Sequence, residues 1–173
     1  MKILKYILFG ILGIIVVFLL LGLVTTNDFK IEKSITINAP AEEILPYLAN
    51  LRLQNEWSIW AKMDPDQTIK YEGEDGTPGS KYTWDGEITG KGSQEVVSIS
   101  PTRVELNLDF TDPYESHADV YFTLNETTSG TEVSWGFESE TPYPMNVFLL
   151  FGDMGVGDDF QKGLENLKAT IEG

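Results

Sequence analysis

Thr102-Arg103-Val104-Glu105-Leu106-Asn107-Leu108-Asp109-Phe110 decides the fold class. Apolar side chains take every second position (Val104, Leu106, Leu108, Phe110), and Glu105, Asn107 and Asp109 fall between them. Period two marks a strand with one face on a core and the other in water. The pattern continues downstream. Ser116–Asn125 places Ala118, Val120, Phe122 and Leu124 on one face, and Thr131–Glu138 places Val133, Trp135 and Phe137 inward. Upstream, Thr68–Glu72, Ser80–Trp84 and Glu87–Ser100 are strand-like runs divided by Gly73-Glu74-Asp75-Gly76 and Asp85-Gly86. Pro101, Asp112-Pro113 and Ser129-Gly130 mark the remaining turns. Regular strands with tight turns predict a meandering antiparallel sheet.

Helical signals flank this sheet. Phe29, Ile31, Ile35 and Ile37 share one parity and predict a first strand, which Asn38-Ala39-Pro40 stops. Pro40 suits a first helical turn, and Glu42-Glu43 complement its positive end. Ile44, Leu45, Leu48 and Leu51 then follow at helical spacing, and a second short piece is expected near Leu53–Trp60. Met145–Ile171 reads as one long final helix, with Val156, Phe160, Leu164, Leu167 and Ile171 as its apolar stripe. Gly152, Gly155 and Gly157 weaken its first half and leave room for sheet backbone or a ligand. The class is α+β.

The N-terminus has a different character. Tyr6–Val24 is apolar apart from Gly10, Gly13 and Gly22, and its 19 residues would reach roughly 28 Å as a helix, near the thickness of a bilayer's hydrocarbon. Residues 1–27 therefore read as an uncleaved transmembrane anchor and residues 28–173 as the domain. A secretory signal peptide is the competing reading. Against it, the run exceeds the usual apolar length, and Leu23-Val24-Thr25 is no small-residue cleavage site. Lys2 and Lys5 favour a cytoplasmic N-terminus and a domain on the outer side, a bias weakened by Lys30 and Lys33.

Charge removes some partners. The chain has 12 basic and 27 acidic residues, net −15. Only Lys2 and Lys5 are charged in residues 1–27, so residues 28–173 hold 10 basic and all 27 acidic residues, net −17. Such a body repels phosphate backbones, and no nucleic-acid partner is expected. The lack of cysteine excludes disulfides, thiolate metal sites and a cysteine nucleophile. The acidic clusters Asp64-Pro65-Asp66, Glu72-Gly73-Glu74-Asp75 and Asp158-Asp159 lack calcium-loop spacing; the first two read as solvated turns. No cofactor or metal is expected.

Several stretches resemble the START/polyketide-cyclase/pollen-allergen-like (SRPBCC) superfamily. They are Ile35-Thr36-Ile37-Asn38-Ala39-Pro40-Ala41-Glu42-Glu43-Ile44, Asn55-Glu56-Trp57-Ser58-Ile59-Trp60 and Gly79-Ser80-Lys81-Tyr82-Thr83-Trp84. Gly130-Thr131-Glu132-Val133-Ser134-Trp135 and Asp159–Lys168 complete the set. The resemblance covers residues 29–171 and is nearest the polyketide-cyclase-like branch. It implies a helix-grip fold: a curved antiparallel sheet of six to seven strands around a long C-terminal helix, with two short helices after the first strand. It also implies an apolar cavity holding a hydrophobic small molecule or lipid.

The candidate cavity residues are Trp57, Trp60, Tyr82, Trp84, Leu106, Leu108, Phe122, Trp135, Phe137, Phe151 and Phe160. Indoles combine a broad apolar face with one N–H donor, although aromatic residues also build plain cores. Trp57 and Trp60, three apart, are expected to share a helix face. Tyr82, on the inward parity of Trp84, is the best polar candidate. His117 is the lone histidine, but the parity of Ala118 and Val120 turns it outward. With one histidine, no cysteine and no inward carboxylate pair, no nucleophile–base constellation is legible. A membrane-anchored hydrophobic-ligand binder ranks first. The alternatives are a cyclase/dehydratase-type enzyme, using Tyr82 or a carboxylate as base, and an interaction module acting through its acidic surface.

Overall fold

The computed structural model describes residues 2–153 and 155–173. The chain divides into two compact units, Met1–Phe29 with Glu140–Met154, and Lys30–Ser139 with Gly155–Gly173.

In the first unit, α1 (Lys2–Gly22) is one uninterrupted helix. Its stretch Ile3–Gly22, 20 residues long and apolar apart from Lys5, has the length needed to cross a membrane. A 3-10 helix, Met145–Phe151, packs on it: Phe18 and Phe148 meet edge to face at 5.8 Å.

The second unit is a sheet gripping a helix. Strands β1 (Asp28–Ile37), β2 (Thr68–Glu72), β3 (Lys81–Gly86) and β4 (Gly90–Ser100) are joined by β5 (Arg103–Asp112), β6 (Ser116–Thr127) and β7 (Gly130–Glu140). They form one seven-stranded antiparallel sheet in the order β1-β7-β6-β5-β4-β3-β2. The alternation in sequence becomes register in space. Leu106 faces Val120 and Val104 faces Phe122 across β5 and β6, and Phe122 faces Trp135 across β6 and β7. Register shifts at Lys91/Gly92 and Val96/Ser98 interrupt the β4–β5 ladder. Such irregularities bend a strand and increase its twist, which curves the sheet.

Helix α5 (Val156–Glu172) lies on the concave face and buries Phe160, Gly163, Leu164 and Leu167, the centre of the expected stripe. Its end is fastened to β1: Lys168 Nζ donates to the Thr36 carbonyl at 2.6 Å, and Asn38 N donates to Glu172 Oε1 at 2.7 Å. The core joins Leu164 and Leu167 to Val96, Val104, Leu106, Phe122 and Val133 of the sheet. It continues into Ile44, Leu48 and Leu51 of the connecting helices.

Two helix boundaries differ from expectation. The final helix starts at Val156, not Met145. Gly152 and Gly155 adopt φ of 82° and 88°, a left-handed region that glycine enters freely and that ends a right-handed helix. The second short piece is two helices, α3 (Leu51–Trp57) and α4 (Ile59–Met63), after α2 (Ala41–Ala49). Ser58 breaks them with an extended ψ of 134°. Asn50 starts α3 by accepting from the backbone N–H groups of Arg52 and Leu53, which satisfies donors that the helix itself cannot.

Candidate functional site

The inner face of the sheet and α5 hold a continuous aromatic cluster centred on Trp135. Its ring lies 4.3 Å from Phe160, 5.2 Å from Phe122, 5.4 Å from Trp57 and 5.6 Å from Trp60, centroid to centroid. Phe137 joins through Phe160 at 6.0 Å. Trp57 and Trp60 sit on different helices, because Ser58 separates α3 from α4, yet both meet Trp135 edge-on. Edge-to-face and tilted pairs set the positive ring edge against the negative ring face. Gly163 makes this approach possible, since a Cβ there would stand 2.7 Å from the Trp135 indole.

A second row runs across β2, β3 and β5. Tyr71 and Tyr82 are 5.9 Å apart, Tyr82 and Trp84 5.6 Å, and Trp84 and Phe110 5.6 Å. Burial is graded along the inner face. Leu106, Phe122, Val104 and Val133 are sealed, whereas Tyr82, Leu108, Phe110 and Phe137 remain half-buried. The half-buried set is apolar surface that the protein's own packing does not fully cover.

Polar groups on this face fall into two kinds. Trp57 Nε1–H donates to the Tyr47 carbonyl at 3.1 Å and Trp84 Nε1–H to the Thr89 carbonyl at 3.3 Å. Trp135 Nε1–H is buried and has no hydrogen-bond acceptor among the described residues. An unsatisfied buried donor carries a desolvation cost of about 1–3 kcal/mol. The other kind is a relay. Tyr82 Oη donates to Gln94 Oε1 at 3.3 Å, Gln94 Nε2 donates to Gln54 Oε1 at 2.8 Å, and Gln54 Nε2 donates to the Leu48 carbonyl. Burial, helped by neighbouring Tyr71, pushes the Tyr82 hydroxyl far above the ordinary tyrosine range. It therefore keeps its proton at neutral pH and donates it to Gln94.

The sequence reading missed Gln54 and Gln94. Both were legible: Gln94 shares the inward parity of Gly92 and Val96, and Gln54 stands one turn before Trp57. Phe151 lies in the first unit, 74% exposed on its 3-10 helix.

Charged candidates resolve into structural roles. His117 faces outward, its Nδ1 2.7 Å from Asp109 Oδ1 and its Nε2 3.5 Å from Asp119 Oδ1. Asp64 is not a solvated turn residue. It is buried and accepts from Ile88 N at 2.8 Å, Thr89 N at 3.1 Å and Thr89 Oγ1 at 3.2 Å, fastening the β3–β4 turn to the end of α4. Those backbone donors hold its carboxyl below the usual range. No group of three or more histidine or acidic side chains placed to hold a metal occurs among the described residues.

The profile of a family described as polyketide cyclase / dehydrase and lipid transport matches residues 28–172. Among solved structures, the chain is similar to protein MLL2253 from Mesorhizobium loti, at TM-score 0.61 and 17% identity over 83% of this chain and 97% of that one. It is similar to protein CV1439 from Chromobacterium violaceum, at TM-score 0.57 and 18% identity over 83% and 98%. It is also similar to Ara h 8.0201, at TM-score 0.58 and 14% identity over 84% and 98%. At these identities the likeness establishes the fold. No curated protein sequence matches the chain.

Proposed function

Because the chain belongs to the polyketide cyclase / dehydrase and lipid transport family, we propose that its helix-grip domain binds a hydrophobic small molecule or lipid against the inner aromatic face, and that α1 holds this domain at a membrane. The observation that carries the reading is Trp135, whose indole N–H is buried at the centre of an aromatic wall without an acceptor among the described residues. A ligand oxygen admitted by a shift of the surrounding rings would satisfy it, and the half-buried Leu108, Phe110 and Phe137 would cover the apolar remainder. Ligand pockets combine apolar walls with a few placed polar groups in this way. Tyr82, whose one O–H is donated to Gln94, supplies a second polar contact as an acceptor.

The test is native mass spectrometry of the full chain released from detergent micelles. The expected result is a reproducible added mass that a lipid extract can replenish. Trp135→Phe keeps an aromatic ring and removes the N–H, so occupancy should fall about five- to tenfold, the worth of one hydrogen bond of about 1 kcal/mol plus lost ring contact. A bare chain after incubation with membrane lipid extract would sink the carrier reading.

A further inference from the structure

The first unit exposes apolar surface beyond α1. Residues 141–152, Thr-Pro-Tyr-Pro-Met-Asn-Val-Phe-Leu-Leu-Phe-Gly, contain no charged side chain in a chain of net charge −15. Within them Tyr143, Met145, Phe148, Leu150 and Phe151 are exposed. A contiguous apolar patch of this kind marks a protein or membrane contact.

The packing fixes where along α1 this segment lies. Phe148 meets Phe18, and the Tyr143 ring lies against Gly22. Phe18 is four residues before the helix end, about 6 Å along the axis at 1.5 Å per residue. The segment therefore flanks the last turn of the apolar helix. Asn146, only 1% exposed, serves that turn. Its Nδ2 donates to the Gly22 carbonyl at 2.8 Å, the Thr25 carbonyl at 3.0 Å and Asn27 Oδ1 at 2.9 Å. The last carbonyls of a helix have no partner within it, and in water the solvent serves them. In hydrocarbon each unserved group costs several kcal/mol, so a dedicated buried amide matters most where water is absent.

We propose that residues 142–151 form a second membrane-seated element, lying at the boundary between acyl chains and headgroups beside the C-terminal turn of α1. The occupant of its apolar surface is the lipid bilayer. Met145, Phe148, Leu150 and Phe151 enter the acyl region, and Tyr143 sits at headgroup level, where tyrosine is enriched. Continuity with an apolar helix of spanning length and the absence of charge select lipid over a soluble partner. This proposal rests on α1 being a membrane anchor.

The absence of native cysteine allows single-site labelling of the full chain. Phe151→Cys, Leu12→Cys in α1 and Tyr114→Cys on the domain surface would each carry an environment-sensitive NBD fluorophore. Each would be reconstituted in phosphatidylethanolamine/phosphatidylglycerol vesicles with nitroxides at shallow or deep acyl positions. All three residues are exposed, so the substitutions leave the packing intact. The expected result is blue-shifted emission at 151 relative to 114, quenched more by the shallow nitroxide, with deep quenching at 12. Water-like emission at 151 with deep quenching at 12 overturns the proposal and leaves the anchor standing. Blue-shifted emission at 151 that neither nitroxide quenches also overturns it, because protein then covers the segment. Water-like emission at both 12 and 151 removes the anchor, and the proposal with it.

Discussion

At Gly163 a hydrogen stands where any other residue would begin its side chain, and the Trp135 indole occupies the space. Two effects compete in Gly163→Ala. Alanine favours the helix by about 1 kcal/mol. Overpacking a filled core typically costs about 1–3 kcal/mol. Trp57, Trp60, Phe122 and Phe160 surround the indole, so it has little room to yield and the second effect wins. Gly163→Ala should destabilise the protein by up to about 2 kcal/mol, the overpacking cost less the helix gain, in denaturant titration. An unchanged or raised midpoint would mean that the Trp135 ring is free to move. Trp135 itself was visible from strand parity. The lack of an acceptor for its N–H was not, because whether an indole finds a carbonyl depends on chain segments distant in sequence, such as Tyr47 for Trp57.

Among the elements, two acid–base contacts make opposite pH predictions. Asp64 ties α4 to the β3–β4 turn through three donors, and its folded pKa is depressed. Its contribution is therefore present above the unfolded carboxyl value near 3.9 and lost as pH falls through the lower folded value. Asp64→Ala should lower the melting temperature at neutral pH, and the gap to the parent should close in strong acid. A gap that persists there would assign the effect to packing. On the outer face of β5 and β6, the Asp109 hydrogen bond raises the His117 pKa, aided by the charges of Asp109 and Asp119. That contribution is full below about pH 6.5 and disappears as pH rises through the raised folded value. His117→Asn should accordingly show its largest loss of melting temperature in mild acid and none at alkaline pH. Equal loss at both ends of the range would refute the linkage. The outward direction of His117 and the three strand runs from Thr102 to Glu138 were readable from alternation, and the three upstream runs from the turn residues that divide them. The Ser58 and Gly155 breaks were harder, because helical spacing of apolar residues persists across a kink that one residue's dihedrals create. Asp64 was misjudged because an acid beside proline resembles a solvated turn until the distant Ile88 and Thr89 N–H groups are seen to converge on it.

For the whole molecule, charge and hydropathy act together. Lys2 and Lys5 lie in the first two turns of an otherwise apolar helix, and net −17 follows it. Positive residues are retained on the cytoplasmic side, so we propose an outward-facing domain. A C-terminal alkaline phosphatase fusion in a bacterial host should be active and a C-terminal green fluorescent protein fusion dark; the reverse pair would invert the topology.

The strand order has one more consequence. Every neighbouring pair from β2 to β7 is consecutive in the chain, whereas β1 pairs only with β7. During synthesis β1 leaves the ribosome before any of its sheet partners exist, and residues 38–129 must follow before β7 begins. Joining ends so far apart costs about 4 kcal/mol of chain entropy, so the meander can assemble by short hairpins while β1 waits.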